Sequence, residues 1–230
     1  TGKYKRDEPK MAKDLQDRLR RFVAEGRPVK LVGLWGFGPK NADNWADEET
    51  CKFLAELDAP VKKAYPPGLE FTFVFATPHG THNGIPMRTM AAYAKQVAAL
   101  FKRHGFKHRR LEELWKKYGI TFNKIDETLS RKPAGWWERV ENAALIERNA
   151  ARRNRLLGPG EAAQRYFVMR ELEKPAFKSE FPNSIFIAFA DQRLKGVLPD
   201  MPTLYLKTRR GWSNAPWFVT ENKREFEQDG

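Results

Sequence analysis

The chain has 230 residues, of which 41% are hydrophobic and 13% aromatic, enough to bury one substantial core rather than two. No run approaches the roughly 18 uncharged apolar residues of a membrane span, and the first residues are charged throughout, so neither a spanning helix nor a secretory leader is expected and a cytoplasmic location is. The net charge is +13, and a single cysteine, Cys51, excludes an internal disulfide and a multi-thiolate metal site.

"DEPKMAKDLQDRLRRFVAEG" places Met11, Leu15, Leu19 and Phe22 at helical spacing and stops at Gly26, predicting a basic amphipathic N-terminal helix within residues 1–28. "PVKLVGLWGF" then reads as a strand covered on both faces. It runs into the turn Gly36 to Asn44, whose Gly36, Gly38, Lys40 and Asn41 suit close backbone approach and hydrogen bonding to an anionic or carbonyl group. "DEETCKFLAELDAPVKKAY" predicts a helix, "EFTFVFAT" a second buried strand, Pro78 to Gly84 a loop, and "MRTMAAYAKQVAALFKRHG" a helix ended by Gly105.

This order of strand, turn and helix, twice over, predicts an α/β fold: a Rossmann-like, doubly wound, mostly parallel sheet flanked by helices. Residues 29–105 supply the βαβα half. In such sheets ligands sit beyond the carboxyl ends of the strands, which brings the two unusual loops to one cleft.

Residues 106–175 read as an added basic helical segment: "LEELWKKYG", "WWERVENAALIERNAARRNRLLG" and "GEAAQRYFVMRELEKPAF". Residues 176–230 carry the strands "NSIFIAFAD" and "TLYLKT" and, after "RRGWSNAPWFVT", a last short strand. All four segments form one domain. Trp136 and Trp137, next to an arginine-rich helix, can stack bases or anchor a core.

The charge is concentrated. Ten lysines and arginines face five carboxylates between residues 1 and 30, and fifteen face seven between 101 and 157, so these windows account for the whole +13. Such clustering suits a polyanion, with Arg109, Arg110, Arg148, Arg152, Arg153 and Arg155 as candidate RNA contacts, or it forms a solvated face.

The absent motifs narrow the chemistry. There is no Gly-x4-Gly-Lys-Ser/Thr loop, no third glycine after Gly36-x-Gly38 and no Gly-x-Ser-x-Gly elbow, so neither nucleoside triphosphate hydrolysis nor a dinucleotide cofactor is expected, and no cofactor or metal is called for. His79 and His82 lack a third ligand at metal spacing. His82 can serve as a general base and Asn83 as an oxyanion donor, or both can shape the turn. Tyr166, Arg170 and Glu173, four and three apart, share one helical face that can grip an amino acid or form an ion pair beside an aromatic. Glu171, a further candidate carboxylate, points away from Tyr166.

Several segments resemble the pyoverdine/dityrosine biosynthesis family, the isonitrile synthases. "KKAYPPGLEFTFVFATPHGTHNG" is similar to that family's Tyr-Pro-Pro-Gly segment, "GFGPKN" to its Phe-Pro-x-Lys-Ser-Pro-Asn turn, and "EFPNSIFIAFAD" with "GWSNAPWF" to its late strand and Pro-Trp-His segment. The likeness runs from about Val29 to Val219. It departs where the family's Ser-Asp-Gly is Thr77-Pro78-His79-Gly80 and where its histidine is Phe218.

In length, layout and charge the chain also resembles the cyclodipeptide synthases, which join two aminoacyl groups from tRNA into a diketopiperazine. The Tyr166 helix is similar to their Tyr-x-x-x-Glu helix, with Arg170 at the glutamate and Trp35 or Gly36 near their nucleophilic serine. An arginine-using branch of these synthases resembles the isonitrile family more closely.

This resemblance implies an aminoacyl-tRNA partner, no cofactor, and catalytic roles for His82, Asn83, Tyr166, Glu173 and Glu171. Trp35, Gly36, Gly38, Lys40, Asn41, His79 and Arg170 would bind the substrate. The alternatives are an isonitrile synthase acting on a free amino acid and a sugar phosphate, and a non-catalytic RNA-binding protein.

Overall fold

The computed structural model describes residues 4–6, 9–36, 45–189 and 192–208. The elements in chain order are β1 (Tyr4–Arg6), α1 (Ala12–Ala24), β2 (Val29–Trp35), α2 (Trp45–Ala64), β3 (Leu69–Phe75), α3 (Thr77–His82) and α4 (Met87–His104). There follow β4 (Lys107–Arg110), α5 (Leu111–Tyr118), α6 (Phe122–Ser130), a 3-10 turn (Trp137–Arg139), α7 (Ala143–Arg153) and α8 (Pro159–Glu180). β5 (Ile185–Ala188), a second 3-10 segment (Gln192–Val197) and β6 (Thr203–Thr208) complete them.

The six strands form one sheet in the order β1-β6-β5-β2-β3-β4. β6, β5, β2, β3 and β4 run parallel, and β1 pairs antiparallel with β6. Taken alone, the five parallel strands have the 3-2-1-4-5 order of a Rossmann sheet.

The alternation of side chains along each strand explains why both faces are covered. Leu31, Trp35, Phe71, Phe73, Phe75, Ile185 and Ile187 point to one face, where Leu15 and Phe22 of α1, Leu54 of α2 and Val97 and Phe101 of α4 pack on them. Val32, Val74, Phe186 and Ala188 point to the other, against Leu111 and Trp115 of α5, Ile125 of α6 and Val168 and Phe177 of α8. Right-handed crossovers force this division: the chain steps from β2 outward to β4 with its helices on one face, then returns across the sheet to β5 with its helices on the other.

Gly33 sits where β2 passes closest to its neighbours. A Cβ there would lie 3.0 Å from Ile187 Cγ1 and 3.2 Å from Phe73 Cε1, so the tight core leaves no room for a side chain.

The structure departs from the sequence expectations in several places. Pro78 to Gly84 is largely the short helix α3 rather than a loop, because Pro78 sits in its first turn, where its missing N–H costs nothing. "WWERVENAALIERNAARRNRLLG" is broken: Asn142 takes a left-handed conformation (φ 60°), and the chain leaves α7 at Asn154 in an extended one. The helical segment expected to end at residue 175 continues to Glu180, since burying Ala176 and Phe177 outweighs the backbone hydrogen bond lost at Pro175. β1, β4 and α6 are additions. The last short strand and "GWSNAPWF" lie outside the described residues, as do Gly38, Lys40 and Asn41.

The two basic windows do not form a single surface. α1 packs on the α2/α4 face of the sheet, whereas α5, α6 and α8, with α7 seated on α8, occupy the opposite one. The apolar stripes decide this. Leu15 and Phe22 bury one side of α1 in the first cluster, and Ile146 of α7 packs with Ala163 of α8 and Trp137 in a third.

Candidate active site at the carboxyl edge of the sheet

Parallel pairing puts the ends of β2 and β3 side by side: Trp35 is in register with Phe75, and the Ala76 N–H donates to the Trp35 carbonyl at 3.1 Å. α3 therefore begins at the carboxyl edge, next to the point where the winding direction reverses between β2 and β5. α8 meets it through Ala162, Tyr166 and Glu173.

His79 and Glu173, ninety-four residues apart, meet: His79 Nε2 is 2.9 Å from Glu173 Oε1 and 3.2 Å from Oε2. Trp115 Nε1 donates to Glu173 Oε1 at 2.8 Å, and Arg170 Nη1 donates to Oε2. Arg170 Nε is taken up by the Val197 carbonyl at 2.8 Å.

Glu173 and Arg170 are each 1% exposed, so the pair survives burial only because its hydrogen bonds are made. Burial by itself would push the Glu173 carboxyl up. His79 and Arg170 beside it, with the donors from His79 and Trp115, outweigh that and hold it at about 2, below its usual 4.5.

An ionised carboxylate only accepts hydrogen bonds, so the His79 nitrogen facing it carries the proton. The ring of Tyr166 stands edge-on to His79, with centroids 5.5 Å apart, and closer to parallel with His82 at 6.3 Å.

His82 is placed differently. It is 4% exposed, its Nε2 lies 3.2 Å from the Ala162 carbonyl, and its Nδ1 is enclosed without a hydrogen-bond partner. Burial, reinforced by His79 and Arg165, lowers its pKa to about 4, so the ring stays neutral. Asn154 pins this segment: its Nδ2 donates to the His82 carbonyl at 2.7 Å, and its Oδ1 accepts from the N–H groups of Leu156 and Leu157 at 2.9 and 2.8 Å. The Arg155 N–H reaches the Asn83 carbonyl at 3.3 Å. The carboxyl end of α7 is thus tied to α3.

Gly84 completes the turn with φ +79°, where a Cβ would come within 2.8 Å of Leu156 Cγ. Glycine satisfies both the left-handed backbone and the close approach.

The other anticipated residues fall outside this cluster. Trp35 is 1% exposed, its Nε1 donates to Tyr93 Oη at 3.1 Å, and Tyr93 in turn donates to both oxygens of the fully buried Asp47 at 2.8 Å. It is a core residue rather than a substrate contact. Gly36 is half-buried at the end of β2. Glu171 pairs with Lys132 at 2.7 Å, away from the cluster. Trp137 is a core anchor, with its Nε1 donating to Glu147 at 2.6 Å. Cys51 is fully buried, and burial pushes its thiol up, which leaves it inert.

Arg109 and Arg110 lie on the edge strand β4, near Glu180 (3.8 Å) and Glu112 (3.6 Å). Arg148 and Arg152 of α7 and Arg155 just beyond it are exposed and have no ion pair among the described residues; Arg153 is the last residue of α7. The sequence did not single out Trp115, which stood only within the stretch "LEELWKKYG", or Asn154, whose role depends on a contact 72 residues away. No group of metal-ligating side chains occurs among the described residues, and no helix among them is long and apolar enough to cross a membrane.

No protein-family model and no curated protein sequence matches the chain. Among solved structures, the PvcA protein of Pseudomonas aeruginosa aligns over 91% of this chain and 80% of its own, with a TM-score of 0.60 at 16% identity. The two share a fold. A tyrosyl-tRNA synthetase of Archaeoglobus fulgidus, solved with L-tyrosine, aligns over 82% of this chain and 58% of its own, with a TM-score of 0.45 at 11% identity.

Proposed function

We propose that the chain is an aminoacyltransferase of cyclodipeptide-synthase type, which takes aminoacyl groups from tRNA and joins them at the carboxyl edge of the sheet. The observation that carries this reading is the joining of α7 to α3. Arg148, Arg152 and Arg155, without ion pairs among the described residues and able to hold phosphate, are fastened beside a histidine–carboxylate pair able to accept a proton.

An aminoacyl ester is already activated, which accords with a sequence lacking a triphosphate-binding loop. The fold shared with PvcA supports the superfamily that the sequence segments resemble. With the basic windows split, this reading puts the RNA on the α7 side and leaves α1 outside the contact. In α1, Arg20 pairs with Asp17 and Arg18 donates to the Ser184 carbonyl.

In the reaction, the amine of one aminoacyl group attacks the ester carbonyl of the other. A C–N bond forms, the C–O bond to the tRNA ribose breaks, and the proton lost by nitrogen passes to the departing oxygen through the enzyme. A second, intramolecular attack closes the ring and releases the second tRNA. In this reading Tyr166 and Asn83 donate to the oxyanion and the His79–Glu173 pair carries the proton, while His82 and Arg170 hold the site's shape.

The test is incubation with charged tRNA pools, followed by mass spectrometry of small products, with and without ribonuclease. Diketopiperazines that vanish with ribonuclease are expected. Products unaffected by it would reject the reading in favour of an isonitrile synthase acting on a free amino acid. RNA binding without product would indicate a non-catalytic RNA-binding protein.

A further inference from the structure

One residue outside the anticipated set, Trp115, completes the proton-handling unit together with Arg170. We infer that Trp115 and Arg170 are positioning residues that lock the Glu173 carboxylate, so that His79 is held with Nε2 protonated and its Nδ1 lone pair is the base of the transfer. This deepens the proposed function and rests on it for the identity of the substrate.

The geometry supplies each step. Glu173 receives three donors from three elements: His79 from α3, Trp115 from α5 and Arg170 one turn earlier on α8. Trp115 and His79 share Oε1, whereas Arg170 takes Oε2 and is itself fixed by the Val197 carbonyl. The carboxylate cannot rotate without breaking at least two of these bonds. Its plane therefore fixes the imidazole, and the edge-on Tyr166 ring limits its swing.

With Nε2–H committed to the carboxylate, Nδ1 is the ring nitrogen left to exchange a proton with the substrate. It has no hydrogen-bond partner among the described residues, and the His79 side chain is 12% exposed, open enough for a substrate amine. His82 offers no comparable atom, because its free nitrogen is enclosed. In the transfer, Nδ1 takes the proton that the attacking nitrogen loses and returns it to the ribose oxygen as the ester bond breaks. No net change of protonation remains on the enzyme.

The measurement begins with the ligand-free protein labelled with 15N-histidine. Two-bond nitrogen–proton correlations assign the tautomer of each neutral ring, and His79→Gln identifies the relevant signal among the four histidines. An Nε2-protonated His79 is expected in the wild type, and a mixture of tautomers in Trp115→Phe, which keeps an aromatic ring but removes the indole N–H. Turnover of charged tRNA should then fall by about tenfold or more in kcat for Trp115→Phe, with KM within about twofold. For His79→Gln the fall should be about 100- to 10,000-fold.

An Nδ1-protonated His79 in the wild type overturns the inference whatever the substrate is. So does a Trp115→Phe enzyme with unchanged tautomer and unchanged kcat. The expected tautomers without any diketopiperazine would sink the proposed function and leave the positioning network standing.

Discussion

His79 Nε2 lies 2.9 Å from Glu173 Oε1, and the carboxylate behind it is closed off from water by Trp115 and Arg170. This contact joins the turn after β3 to the long helix α8, and it makes Glu173 both a chemical group and a structural one. Replacing it by glutamine leaves the Arg170 guanidinium, 1% exposed, without its countercharge. Glu173→Gln should lower the unfolding free energy by about 3 to 5 kcal/mol, and Glu173→Gln with Arg170→Met should recover much of that loss, measured by urea denaturation. A double variant no more stable than the single one would refute the assignment.

Stability should fall on the acid side in two stages. The His82 pKa is lowered from 6.5 to about 4, so between those values the unfolded chain binds a proton that the folded one refuses. Stability is therefore fully present above pH 6.5 and is lost as pH falls towards 4, by about 2 kcal/mol at pH 4.5. Glu173, held at about 2 instead of 4.5, adds a second loss as pH falls from 4.5 towards 2. Denaturation midpoints at pH 7 and 4.5 test the first stage: His82→Gln should show a shallower drop than the wild type.

The arginines of α7 and of the turn after it should matter more for RNA than those of β4. Changing Arg148, Arg152 and Arg155 together to glutamine should weaken tRNA binding and reduce the slope of log affinity against log salt by about 2 to 3, roughly one for each phosphate no longer neutralised. Arg109 and Arg110 already face Glu180 and Glu112, so the same change there should have a smaller effect. Filter binding at several salt concentrations separates the two. Equal losses would show that the edge strand contributes as much as α7.

Gly84→Ala should cost about 1 to 2 kcal/mol, because the left-handed backbone is strained with a Cβ. It should also lower kcat, since the new methyl group presses on Leu156 in the turn that Asn154 organises beside His82. A stability loss with kcat unchanged would separate this turn from the chemistry.

The residue pattern was enough to reveal the doubly wound α/β sheet and one buried set in α8. "PVKLVGLWGF", "EFTFVFAT" and "NSIFIAFAD" carry the continuous apolar runs that only strands covered on both faces tolerate, and the structure pairs them as parallel neighbours. The spacing of Tyr166, Arg170 and Glu173 placed them on one side of a helix, a local property set by 3.6 residues per turn. Charge clustering identified the basic helices as well.

Tertiary packing decided the rest. Which histidine meets Glu173, and that Trp115 secures the same carboxylate, depends on α3, α5 and α8 meeting across gaps of 58 and 94 residues, which no local period encodes. It also decided that α1 and the basic helices α5 to α7 fall on opposite faces: helix patterning says that a side is apolar but not against which face of the sheet it is buried. That choice follows from the handedness of the crossovers and the reversal of winding between β2 and β5, and these exist only once the strands have paired.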